Sequence, residues 1–156
     1  MSYLNPLLAF GVRRLSTAAC TAGISGFIVP DLPWEECGEL RQVLSHEGHA
    51  LVQMVTPVTP AARLAMLARE SQGFVYAVTA TGTTGREVAI PDDVLAYLDR
   101  VRAAATLPVC AGFGIRNAAQ VRRLAGHADG VIVGSALVDA IERQDDVAAF
   151  LRGLRA

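Results

Sequence analysis

Cysteine is scarce in this chain. Cys20, Cys37 and Cys110 stand far apart, odd in number and never as a CxxC pair, which excludes a disulfide-stapled scaffold and a zinc site built on cysteine pairs. They read as buried thiols of a reducing compartment. Charge of one sign is lacking too: fourteen basic against fifteen acidic residues leave a formal −1, without the basic excess of a nucleic-acid surface or a polybasic membrane site. A small molecule is the expected ligand. No apolar run reaches the ~20 residues that span a bilayer, and the first eight residues carry no charged stretch ahead of a long apolar core. The expected location is the cytoplasm. Aromatics are only 6% of residues, which leaves Ala, Val, Leu and Ile to fill an interior that a chain of ~150 residues is long enough to bury. No Gly/Ser linker or low-complexity stretch divides residues 1–156, so they form one domain or part of one.

What is present is an alternation. Short apolar runs at 27–29, 50–55, 74–78, 109–111 and 130–133 are mostly apolar on both faces, as strands of a covered parallel sheet are. Between them, 34–46, 60–71, 91–105, 117–125 and 135–143 have helical periodicity, and 145–154 makes a last amphipathic helix. Pro60 and Pro91 stand where helices begin, and Glu35 and Glu36 occupy a first turn that favours negative charge. The segment 6–21 reads as one helix that stops at Gly23. This pattern fits a doubly wound sheet or a barrel. A full barrel takes eight strands and ~250 residues; here five strands are clear, with at most the tail of another at Tyr3-Leu4.

The strongest chemical signal is Val109-Cys110-Ala111-Gly112-Phe113-Gly114-Ile115-Arg116-Asn117, a strand that ends in glycines and runs into a helix. Glycine lets the main chain approach a ligand, and the helix start offers unpaired N–H groups and a positive dipole end to an anion. Gly130-Val131-Ile132-Val133-Gly134-Ser135-Ala136 repeats the device. Barrels often bind phosphate with the loops of their last two strands, so the pair points to a phosphorylated ligand; tight βα turns without a ligand are the alternative. The connection Thr79-Ala80-Thr81-Gly82-Thr83-Thr84-Gly85-Arg86 is a candidate lid, or else an ordinary surface loop. Asp31, between a strand and the 34–46 helix, reads as the cap of that helix rather than a general base. His46, His49 and His127 fall near helix ends with no metal-binding spacing and read as surface residues.

Taken in order, Tyr3-Leu4-Asn5-Pro6, the stretch 26–36, Gly73-Phe74-Val75-Tyr76, Thr81-Gly82-Thr83-Thr84-Gly85, Gly112-Phe113-Gly114-Ile115 and Asp129 through Ala136 resemble the α subunit of tryptophan synthase over nearly the whole chain. That resemblance implies a lyase of tryptophan biosynthesis on a (β/α)8 TIM barrel, here a partial barrel of about five parallel strands with outer helices. The family's reaction splits indole-3-glycerol phosphate into indole and glyceraldehyde 3-phosphate. The resemblance assigns the substrate phosphate to Gly85, Phe113, Gly114, Gly134 and Ser135, places Tyr76 at the indole pocket, and makes Thr84 the lid threonine that orders the catalytic acid. Asn5, Asp31 and Pro33 fall on the surface that meets the tryptophan synthase β subunit in a heterotetramer. That subunit carries pyridoxal phosphate; no metal or organic cofactor is implied for this chain. Thr83 and Thr79 depart from the family's usual valine and serine.

The family's catalytic glutamate and the aspartate at the indole nitrogen precede the position of Tyr3, so no residue here inherits those roles and the chain as given is expected to be inactive alone. Met1 is expected to be an internal methionine of a longer frame. As a complete product the chain would expose strand edges prone to aggregation or to pairing with another chain. Two alternatives stand beside this reading: another phosphate-binding barrel, such as an indole-glycerol-phosphate synthase or a thiamin-phosphate-synthase relative, and a non-catalytic half-barrel that binds a phosphorylated ligand or a partner chain.

Overall fold

A computed structural model describes residues 1–79 and 90–155. Its five strands, β1 (Gly26–Ile28), β2 (Ala50–Val55), β3 (Val75–Val78), β4 (Val109–Gly112) and β5 (Gly130–Ile132), form one all-parallel sheet in sequence order. The register runs Met54↔Tyr76, Tyr76↔Cys110 and Cys110↔Gly130 across the middle, and Val78↔Gly112 and Gly112↔Ile132 one step higher. Among the described residues β1 and β5 each pair on one side only, so the sheet is an open half-barrel.

Among the described residues eight α-helices accompany it: α1 (Leu4–Phe10), α2 (Val12–Thr21), α3 (Gly38–His46), α4 (Ala61–Glu70), α5 (Asp92–Ala104), α6 (Ala118–Leu124), α7 (Ser135–Glu142) and α8 (Val147–Gly153). None is long and apolar enough to cross a membrane. Helical spacing decides which faces are buried: Leu40 and Leu44 on α3, Leu64, Leu67 and Ala68 on α4, and Val94, Leu98 and Val101 on α5 all point at the sheet. Those of α4 and α5 meet alternate strand residues, Val55, Val75, Ala77, Val109 and Ala111, in the main core. A second cluster packs Leu7 and Ala19 against Phe27, Leu40, Leu44 and Leu51, and Trp34 touches both.

Because strand side chains alternate, the other set faces the concave side: Ile28, Val52, Met54, Tyr76, Val78, Cys110, Gly112 and Ile132. Met54, Val78 and Ile132 are only half-buried there.

Three expectations are corrected. Residues 6–21 are not one helix: Gly11, at φ +92°, ends α1 and begins α2, a conformation that side chains rarely adopt. Tyr3-Leu4 is not a strand tail. Leu4 opens α1, and the ladder-like contact among the described residues is Ser2 N–H to the Ile28 carbonyl at 3.1 Å. Pro6 is tolerated because the first turn of a helix leaves its N–H groups without intrahelical partners. The helix expected over 34–46 splits into a 3-10 turn at Trp34–Glu36 and α3, since Cys37 donates to the Trp34 carbonyl three residues back, at 3.2 Å, before α bonding starts. The stop at Gly23 agrees with expectation: at φ +70° it lets Ile24 N–H return to the Ala19 carbonyl at 2.9 Å.

Buried polar positions bring two more corrections. His49 is no surface residue; it is 5% exposed, its Nε2 lies 3.2 Å from the Ser16 carbonyl, and its ring stands edge-on to Phe27. His46 is exposed and His127 half-buried. Of the thiols only Cys37 is buried, Cys110 being half-buried and Cys20 exposed. Burial raises the pKa of both Cys37 and Cys110 and keeps them as inert thiols.

Candidate functional site

The β4–α6 and β5–α7 turns are neighbours. Gly112↔Ile132 pairing sets their strands side by side, and Arg116, just past the first turn, forms an ion pair of 2.5 Å with Asp139 of α7, just past the second. The two glycine motifs are therefore brought to the same end of the sheet, as expected.

Within the first turn Phe113 and Gly114 both have positive φ, +72° and +81°. Phe113 is one of two such non-glycine residues among those described, and such a backbone costs energy unless the surroundings hold it. Thr79 does so. Buried at the end of β3, its hydroxyl lies 2.8 Å from the Gly112 carbonyl and 2.6 Å from that of Phe113, and its N–H donates to Gly112 at 2.8 Å. Thr79 is thus an anchor of the neighbouring turn, not the free start of a loop. Ile115 plugs into the core. Further on, a capping box closes the start of α6: the Asn117 side chain accepts from Gln120 N–H at 3.0 Å, and Gln120 Oε1 accepts from the N–H groups of Arg116 at 2.7 Å and Asn117 at 3.3 Å. Those two amides are therefore taken.

Those that stay open lie between. Among the described residues, the N–H groups of Gly114, Gly134, Ser135 and Ala136 make no hydrogen bond. Gly134 caps α7 without a side chain over the helix start and is solvent-exposed, and its carbonyl accepts from Leu137 and Val138 at 2.9 and 3.1 Å. Unpaired amides on adjacent turns are what an anion requires; Gly134 is exposed, Gly114 and Ser135 half-buried, Ala136 buried.

On the concave face Tyr76 lies beneath this turn, 3% exposed and edge-on to Phe113 with ring centroids 5.7 Å apart. Burial pushes its hydroxyl up to about 12, the nearby Cys110 adding a little. The ring fits only because residue 112 is glycine: a Cβ there would fall 2.1 Å from the Tyr76 hydroxyl oxygen. Thr84 and Gly85, with the rest of 80–89, lie outside the described residues.

Asn5, Asp31 and Pro33 are all exposed. Asp31 and Asn5 share one patch because the Asp31 carboxylate accepts the Leu4 N–H, at 2.9 and 3.2 Å. Asp31 therefore caps α1, 27 residues earlier, and not the helix after it; that start follows Pro33, with no side-chain cap. The geometry reverses the expected direction because the loop after β1 passes over the amino end of α1. Asp31→Ala is expected to lower stability by about 1 kcal/mol, read as a fall in the urea midpoint at constant slope.

Beside this patch a cleft of about 320 Å³ opens between the ends of β1 and β2, lined by Leu32, Pro33, Trp34, Met54 and Arg63 among others. Arg63 grips Glu35 with two bonds, 2.6 and 3.0 Å. That grip lowers the Glu35 carboxyl from 4.5 to about 2. The pair is complete above pH 4.5 and is lost as pH falls toward 2. By NMR the Glu35 carboxyl should titrate near 2 and move upward in Arg63→Gln; a midpoint near 4.5 in the unchanged chain would refute the pairing.

Sequence reasoning named Gly112 within the glycine motif and Thr79 within the candidate lid, but missed that Gly112 makes room for Tyr76 and that Thr79 holds the neighbouring turn, and it missed the Arg116–Asp139 pair.

The comparisons with known proteins agree with this architecture. The family model described as tryptophan synthase alpha chain matches residues 1–152. A tryptophan synthase alpha chain of Bacillus mycoides is 42% identical over 144 residues, covering 92% of this chain and 56% of the relative. One from Bacillus cereus is 39% identical over 157 residues, covering 99% and 61%. The chain thus spans somewhat over half the length of these relatives. Among solved structures, Mycobacterium tuberculosis tryptophan synthase superposes with a TM-score of 0.86 at 35% identity, covering 97% of this chain and 58% of that one. A chain of the Pyrococcus furiosus tryptophan synthase α2β2 complex gives 0.85 at 33%, covering 97% and 62%. Five parallel strands in barrel order, outer helices and this match along the sequence make the chain a member of the tryptophan synthase alpha chain family, with part of that family's TIM barrel.

Proposed function

We propose that the adjacent β4–α6 and β5–α7 turns hold the phosphate of indole-3-glycerol phosphate, the substrate that the tryptophan synthase reaction splits into indole and glyceraldehyde 3-phosphate. The observation that carries this is the set of open amides on Gly114, Gly134 and Ser135 in two turns joined by strand pairing and by Arg116–Asp139. Phe113 contributes the turn and Tyr76 an apolar wall below it, and the resemblance to the family adds Gly85 and Thr84 to the residues that serve the substrate. No basic side chain is required, since amides and a helix start suffice for a phosphate.

The exposed patch of Asn5, Asp31 and Pro33 is the surface we assign to the β subunit of tryptophan synthase. The presence of an α2β2 complex among the structural neighbours supports that partner. Pyridoxal phosphate belongs to the partner in this scheme: all fourteen basic residues here are arginine, so this chain has no lysine to hold it covalently.

Titrating the purified, isotope-labelled chain with inorganic phosphate tests the site. The amide resonances of Gly114, Gly134 and Ser135 should move together with one saturation curve. Saturable binding that leaves all three unmoved would refute the assignment.

A further inference from the structure

Thr79 does more in this geometry than relieve strain. Along an extended strand successive peptide groups point to opposite sides, so the carbonyls of Gly112 and Phe113 would ordinarily face away from each other. Here both reach the same hydroxyl, at 2.8 and 2.6 Å. The left-handed backbone of Phe113, φ +72°, is what turns the second carbonyl round. A trans peptide is planar, with its N–H opposite its C=O. Fixing these two carbonyls on the β3 side therefore aims the amides of Phe113 and Gly114 to the other side, where β5 and its Gly134-Ser135 turn lie.

We infer that Thr79 is a positioning residue for anion binding: its hydroxyl, by holding the carbonyls of Gly112 and Phe113, aims the amides of Phe113 and Gly114 at an anion shared with Gly134 and Ser135. This deepens the phosphate assignment above and rests on it. The hydroxyl has one proton and two acceptors, so it donates to one carbonyl at a time and neither peptide is free to flip without losing that partner. The Thr79 N–H, bonded to Gly112 at 2.8 Å, secures only the first of the two peptides. The second, which carries the Gly114 amide, depends on the side chain. Serine keeps the hydroxyl; valine replaces it with a methyl group of similar size.

The test compares the chain with Thr79→Ser and Thr79→Val by inorganic phosphate titration, following amide resonances. Thr79→Ser should bind within about twofold of the unchanged chain. Thr79→Val should bind about five- to tenfold more weakly, the loss expected for one hydrogen bond, with the Gly114 response to phosphate reduced and that of Ser135 retained. A purely structural role would not separate those two amides. Undiminished affinity in Thr79→Val, or equal loss in Thr79→Ser, overturns the inference and leaves the phosphate site standing. No response at Gly114 and Ser135 in the unchanged chain overturns both. Should Thr79→Val give no folded spectrum, Thr79→Ala against Thr79→Ser makes the same comparison, with the same outcomes deciding.

Discussion

Mixed with indole-3-glycerol phosphate, with or without tryptophan synthase β subunit, the chain should release no indole above the uncatalysed background, while still binding phosphate. Cleaving that carbon–carbon bond calls for a proton delivered to indole C3 and for stabilisation of charge at the ring nitrogen, tasks suited to placed carboxylates. Each general acid or base is worth about 10²–10⁴ in rate. Among the described strand residues, the concave face presents Ile28, Val52, Met54, Tyr76, Val78, Cys110, Gly112 and Ile132, with no carboxylate among them. Neither of its titratable groups substitutes. Burial holds the Tyr76 hydroxyl up at about 12 and raises Cys110 as well, far from the near-neutral values that make efficient proton donors. Glu87 is the single carboxylate of the 80–89 connection, outside the described residues. A Glu87→Gln variant would trace any indole that did appear to that residue. Indole release surviving Glu87→Gln would mean that Glu87 is not its source.

Much of the fold could be read from the chain because strand and helix periods differ. Val75, Tyr76, Ala77 and Val78 form a short run apolar on both faces, as a covered strand does, while Leu64, Leu67 and Ala68 show the helical spacing. Errors came where one backbone torsion or one distant partner decides. Gly11 sits within an unbroken helical pattern, and only its φ of +92° divides α1 from α2. Asp31 has the chemistry of a cap, but its N–H partner is 27 residues away and local reading assigned it the nearest helix. His49 looked like a polar residue after a helix; its burial comes from Ser16 and Phe27, on other elements. The same limit applies to the site. Two glycine turns announce themselves by composition, whereas Thr79 matters through carbonyls 33 and 34 residues further along.

Gly112→Ala should be strongly destabilising. Built on the observed backbone, the new Cβ lies 2.1 Å from the Tyr76 hydroxyl oxygen, 2.5 Å from Cζ and 2.7 Å from Cε1, all closer than real Cβ atoms come. The ring has little room to yield. It is 3% exposed and edge-on to Phe113 at 5.7 Å, so displacing it sacrifices an aromatic pair worth about 0.5–1.5 kcal/mol. The strand cannot easily yield instead, because Gly112 is in register with Val78 and Ile132 and its carbonyl receives Thr79. Overpacking of this kind costs about 1–3 kcal/mol, which for a chain of this size lowers Tm by roughly 2–4 °C per kcal/mol. The cause is separable from a general effect of replacing glycine by measuring the same substitution in a Tyr76→Ala background. There the ring is gone, and contacting residues whose effects depend on each other should show coupling. The cost of Gly112→Ala should fall by at least about half once Tyr76 is truncated. An equal cost in both backgrounds would mean that the ring is not what requires glycine, and that Tyr76 is free to leave the turn which Phe113 shapes.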